Sequence, residues 1–185
     1  MKKIALLTAL FFAITTLVSA QMSMPKDKSK RPSPPESAEC KFPDGKTIHV
    51  DYSSPRAKGR KIFGAASEKA LVPFGAIWRT GANEATTFVT GTNVTVGGKN
   101  VPAGSYTIFT VPNPDKWTLI INKKTGEWGI PYKYEGDELA RVDMQVSKTT
   151  AAVENFTIAF DHAGGKCTLH FEWENVTASV DISEK

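Results

Sequence analysis

Apolar and polar residues alternate with a period of two along much of the chain, and turn residues break the runs at short intervals. Ile48, Val50 and Tyr52 alternate with Thr47, His49 and Asp51, the pattern of a half-buried strand that Ser54-Pro55 ends. Upstream, Ala38, Cys40 and Phe42 share a face. The turn Phe42-Pro43-Asp44-Gly45-Lys46 has a mechanism: proline presets φ, aspartate caps and glycine takes the strained position. Gly97-Gly98 after Val94-Thr95-Val96 marks a two-residue hairpin, and Val101-Pro102-Ala103-Gly104 fits a type I turn. Residues 106–111 and 117–121 read as strands. So do 156–160 and 167–173, which flank a hairpin at Gly164-Gly165, and 176–182 closes the chain. Helix is expected only as short turns, over 65–70 and near 137–140. Strands at intervals of roughly 8 to 12 residues predict an all-β fold, an antiparallel β-sandwich for which a jelly roll is one available topology.

The first 20 residues depart from this pattern. Lys2 and Lys3 precede an apolar run over 4–18, and Val18-Ser19-Ala20 offers small residues for cleavage near Ala20. The run is shorter than the roughly 20 residues a membrane span needs, so a signal peptide is expected. No cysteine follows the cleavage point, which argues against a lipid anchor, and no later run is apolar enough to span. Residues 21–39, rich in Pro, Lys and Ser, read as a disordered tether. A single β-sandwich domain is expected over 40–185, in a periplasmic or secreted protein.

Charge then changes the picture. Six of the 23 basic and three of the 19 acidic residues precede Cys40, so the domain itself carries about +1. Nucleic acid loses its support as a partner. Cys40 and Cys167 both lie on core-facing sides of their strands. In an oxidising compartment such a pair suits a disulfide; the alternative is two buried thiols that never meet.

The densest polar cluster is Trp78-Arg79-Thr80-Gly81-Ala82-Asn83-Glu84-Ala85-Thr86. As a site, Arg79 and Asn83 would face a ligand, Glu84 would accept from it and Trp78 would wall it. Arginine forks suit carboxylates, phosphates and sugar hydroxyls. As architecture, Arg79 would pair with Glu84 across the turn, Asn83 would be left-handed and Trp78 would fill the core. The architectural reading is favoured, since buried polar groups are paired whatever their role. With Tyr52-Ser53-Ser54-Pro55, Val101-Pro102-Ala103-Gly104 and Trp117-Thr118, this cluster resembles the bacterial secreted family known as domain of unknown function 2911, over residues 37–183. The resemblance is compatible with the β-sandwich and implies no activity.

Other candidates are weaker. Arg56, Lys58, Arg60 and Lys61 flank Gly59 and could hold an anion, although short charge runs usually face water. Trp128, in an aromatic and glycine-rich loop, is either a ligand wall or part of a satellite cluster under that loop. His49 with Asp51, and His170 with Glu172, would make a metal site only if their strands paired side by side. Without a Walker loop or a GxSxG elbow, no cofactor and no familiar nucleophile are expected. The residues therefore favour a module that binds a small polar ligand or an envelope partner over catalysis. A hydrolase built on Arg79, Asn83 and Glu84 is the alternative, and a purely structural module the third.

Overall fold

A computed structural model describes residues 27–185; the expected signal peptide lies outside them. Among the described residues eleven strands follow one another: β1 Pro35–Lys41, β2 Thr47–Ser53, β3 Phe63–Gly64, β4 Val72–Pro73, β5 Thr87–Thr90, β6 Val94–Val96, β7 Lys99–Val101, β8 Gly104–Val111, β9 Lys116–Asn122, β10 Glu138–Ala163 and β11 Lys166–Glu184. The fold is all-β. Nine strands form one antiparallel sheet in the order β1-β2-β5-β8-β9-β10-β11-β6-β7, and β3 and β4 form a small parallel pair.

The turn chemistry read from the sequence places the hairpins. Gly45 has φ 91°, and the Lys46 amide donates to the Asp44 carboxylate at 2.9 Å, closing β1 on β2. Gly97 and Gly98 are both left-handed between β6 and β7, as are Gly164 and Gly165 between β10 and β11. This is the geometry that two-residue hairpins demand.

β10 and β11 are far longer than ordinary strands. Their register slips between Lys148 and Val153 and again between Val153 and Thr157, and bulges of this kind bend a ribbon. The distal half of β10 meets the chain beyond β2, where the Ala57 amide donates to the Glu154 carbonyl at 2.8 Å and Phe156 to the Pro55 carbonyl at 2.9 Å. Cys167, at the start of β11, is bonded to Cys40 of β1. Trp117, Trp173, Phe88, Phe156, Phe171 and Ile48 are among the fully buried side chains inside this ribbon and sheet, each worth about 1.5–3 kcal/mol of burial.

Two expectations are corrected. Residues 138–140 begin β10, and the only helical turn nearby is a 3-10 turn at Glu135–Asp137. β9 captures the segment by pairing Val142 with Leu119 and Met144 with Trp117. Residues 27–39, part of the stretch expected as a tether, carry a 3-10 turn at Lys28–Lys30 and most of β1, which pairs with β2 from Pro35 onward. The expected turn over 65–70 is present as Ala66–Glu68.

Candidate functional site

The site begins where the chain crosses from β4 to β5. Trp78 exchanges two backbone hydrogen bonds with Thr110 of β8, at 2.8 and 2.9 Å. The chain then turns through Thr80 (φ 56°), Gly81 (φ 150°) and Asn83 (φ 58°). Only glycine fits at 81, because a Cβ there would lie 2.9 Å from the Ser53 carbonyl oxygen. Much of the polar surplus closes this turn. The Trp78 indole donates to the Gly81 carbonyl at 3.0 Å and the Thr86 hydroxyl to the Thr80 carbonyl at 2.6 Å.

Trp78 itself packs into the core. Its ring stacks on Trp173 at 5.8 Å and meets Phe63, Trp117 and Phe156 edge-on at 4.8 to 6.3 Å. Asn83 is left-handed, as the architectural reading expected, and its side chain donates to the Ser33 carbonyl at 2.9 Å.

The expected pair of Arg79 with Glu84 does not form. One nitrogen of Arg31 donates to both Glu84 oxygens at 2.9 and 3.0 Å, and Lys28 stands 3.3 Å away. Burial pushes the Glu84 carboxyl up, but a backbone hydrogen bond and those from Arg31 and Lys28 outweigh it and hold the group below its ordinary range. The segment over residues 28–33 thus straps the junction from outside. Composition could not reveal it, because Lys28, Arg31 and Ser33 sit in a run that looks like spacer and the Arg31–Glu84 contact spans 53 residues.

Arg79 goes elsewhere. It donates to the Asn83 carbonyl, and its guanidinium carbon lies 5.1 Å from the centroid of the Trp128 ring. Among the described residues it has no carboxylate partner within ion-pair range. Partial burial lowers its pKa from the ordinary value, which leaves an arginine charged. Trp128 is 46% exposed.

The loop carrying Trp128 runs from β9 to β10 over the second face of the sheet, where Ala85, Ile77 and Val111 also pack. Phe109 and Ile120 point to that face because their neighbours Ile108, Leu119 and Ile121 point to the main core. Tyr132 and Tyr134 cover them. The satellite cluster foreseen for this loop is therefore built by the tyrosines, and Trp128 lies outside it. Fully buried Asn122 donates to the Tyr132 hydroxyl at 3.1 Å and the Tyr134 carbonyl at 2.7 Å, and Tyr132 donates to Glu138 at 2.7 Å. Burial and that carboxylate push the Tyr132 hydroxyl well above its ordinary pKa. The Ala85 amide donates to the Glu127 carbonyl at 3.1 Å, and Gly129 (φ 88°) lets the loop press so close that a Cβ would lie 2.8 Å from that of Ala85.

Arg60 is not part of this arrangement; it lines a separate hollow with Arg56, Lys58, Pro32 and Ser33. The histidine alternative fails on topology, since β2 pairs with β1 and β5 while β11 pairs with β10 and β6. His49 meets Asp51 at 3.0 Å and His170 meets Asp161 at 3.5 Å. No group of three or more metal-ligating side chains occurs among the described residues.

The model of a family described as protein of unknown function (DUF2911) matches residues 33–182. The chain belongs to that family. The DUF2911 match takes in Ser33, the junction, the Trp128 loop and both cysteines, while Lys28 and Arg31 precede it. No curated protein and no solved structure matches the chain. The disulfide suggests an oxidising, extracytoplasmic location, and among the described residues no helix is long and apolar enough to cross a membrane.

Proposed function

We propose that this DUF2911 protein is a non-catalytic binding module of the bacterial envelope, periplasmic or secreted after cleavage near Ala20. In this reading the bent β10–β11 ribbon folds across the sheet as the second layer of a sandwich, with a jelly-roll path as its finer topology. The Arg79–Trp128 pair carries the functional part. A guanidinium without a carboxylate partner among the described residues rests on a half-exposed indole; the Asn83 carbonyl holds the arginine, and a loop anchored through Asn122 and Gly129 holds the tryptophan. The free N–H groups of a guanidinium suit an anionic group, and an exposed indole suits the apolar face of a ring. An acidic sugar combines the two. A thermal-shift screen of the purified protein against neutral sugars, acidic sugars, glycan fragments, simple anions and divalent metals tests this. Acidic sugars are expected to raise the melting temperature more than their neutral counterparts. Equal or absent shifts count against the reading.

A hydrolytic reading keeps one foothold. Glu84 lines a cleft of about 150 Å³ with Asp51 and Tyr52. Its carboxylate is paired and held below the ordinary range, which suits a fixed anion better than a proton donor.

A further inference from the structure

The hollow beside the strap suggests a second site, independent of the Arg79–Trp128 platform. It encloses about 320 Å³ between Pro32 and Ser33 on one side and Arg56, Lys58 and Arg60 on the other. None of these three cations has a carboxylate within 4.0 Å among the described residues, whereas neighbouring Lys61 is paired with Glu68. Both guanidiniums are braced by acceptors of the local chain. Arg56 donates to the Ser54 carbonyl at 2.9 Å and the Ser54 hydroxyl at 2.6 Å. Arg60 donates to the Ala57 carbonyl at 3.0 Å and the Arg56 carbonyl at 2.5 Å. These bonds fix the planes of the forks and leave further N–H groups on each without an acceptor among the described residues.

Lys58 occupies a costly position. It is left-handed (φ 51°) in a turn closed by the Arg60 amide on the Ala57 carbonyl at 3.0 Å, next to Gly59 (φ 68°). Glycine or asparagine would adopt that conformation with less strain. A lysine there trades local ease for a third cation over the hollow. The Lys58 amide is capped by Glu154 at 2.9 Å, so its contribution is the side-chain ammonium.

We propose that this hollow binds a phosphate group, whether of free inorganic phosphate or of a phospholipid head group. Two braced forks and an ammonium match a tetrahedral oxyanion, because arginine N–H pairs engage phosphate oxygens bidentately. The strap supplies the opposite wall. Its docking through Arg31 on Glu84 and the Ser33 carbonyl on Asn83 completes the site.

The experiment is an NMR titration of the purified protein with inorganic phosphate at constant ionic strength, beside sedimentation with vesicles of phosphatidylglycerol in phosphatidylcholine. Saturable shifts of the amides over residues 56–60 and of Ser33 are expected from phosphate if the free ion is the ligand. Binding to the anionic vesicles alone assigns the head group. Arg60→Gln and Lys58→Asn, both at exposed positions, should each weaken whichever binding occurs by about tenfold while the melting temperature holds. Arg56→Gln is judged the same way if it folds. Neither phosphate nor vesicles binding, or binding unchanged in both exposed variants, overturns the proposal. Acidic-sugar binding at Trp128 is read from different resonances, so the two sites fail separately.

Discussion

Removing the Cys40–Cys167 bond should cost this protein more than any single exposed contact. The bond closes a loop across a sequence separation of 127 residues. The chain-entropy relation for a loop of that length gives about 5 kcal/mol at 25 °C as an upper value. It ties β1 at the sheet edge to the distal ribbon, and the two cysteines are 4% and 0% exposed. A loss of that size corresponds to a fall in melting temperature of about 10–20 °C for a protein of this length. The perturbation is Cys40→Ala with Cys167→Ala, compared with the unmodified protein by calorimetry and guanidinium unfolding. Titration of free thiols in the unfolded parent confirms that the starting material is oxidised. A stability change below about 1 kcal/mol would refute loop closure by this bond as a major source of stability.

Three further outcomes follow from the site. Gly129→Ala places a Cβ 2.8 Å from that of Ala85 at a φ of 88°; it should cost about 1–3 kcal/mol and quench less of any acidic-sugar signal at Trp128, as thermal melts and fluorescence titration would register. The Glu84 carboxyl is held below its ordinary value of 4.5. Its contact with the strap therefore contributes fully above that value and is lost as pH falls through the lower folded value. With Glu84 42% exposed, the effect on stability should be no more than about 1 kcal/mol, and amide shifts over residues 28–33 should follow the titration in the parent but not in Glu84→Gln. The same Glu84→Gln variant should leave sugar affinity within about twofold, since the carboxylate faces Arg31 and not Arg79; a complete loss would favour the hydrolytic cleft.

Hairpins were legible in the sequence because their physics is local. Gly97-Gly98, Gly164-Gly165 and the Pro43-Asp44-Gly45 turn each specify a φ that few other residues adopt. The core face of the cysteines was legible for the same reason. The proximal half of β10 was missed although Val142 and Met144 alternate with Asp143 and Gln145, because the polar loop before it suggested a helical turn. The partners of Arg79 and Glu84 were not legible at all. Opposite charges five residues apart suggest a local pair, yet Arg31 reaches Glu84 from 53 residues away in sequence, and Trp128 meets Arg79 beside Gly129, whose missing Cβ permits a close approach. Both partners are set by tertiary packing, which turn chemistry does not encode.

Binding at the Arg79–Trp128 pair is read at the indole N–H resonance of Trp128 during titration with glucuronate as the acidic-sugar probe. A saturable shift is expected at that resonance, with little change at the core indoles of Trp117 and Trp173 and a loss of at least about tenfold in affinity on Arg79→Gln in a protein that still folds. No saturation, or an equal response in the Arg79→Gln variant, would contradict it.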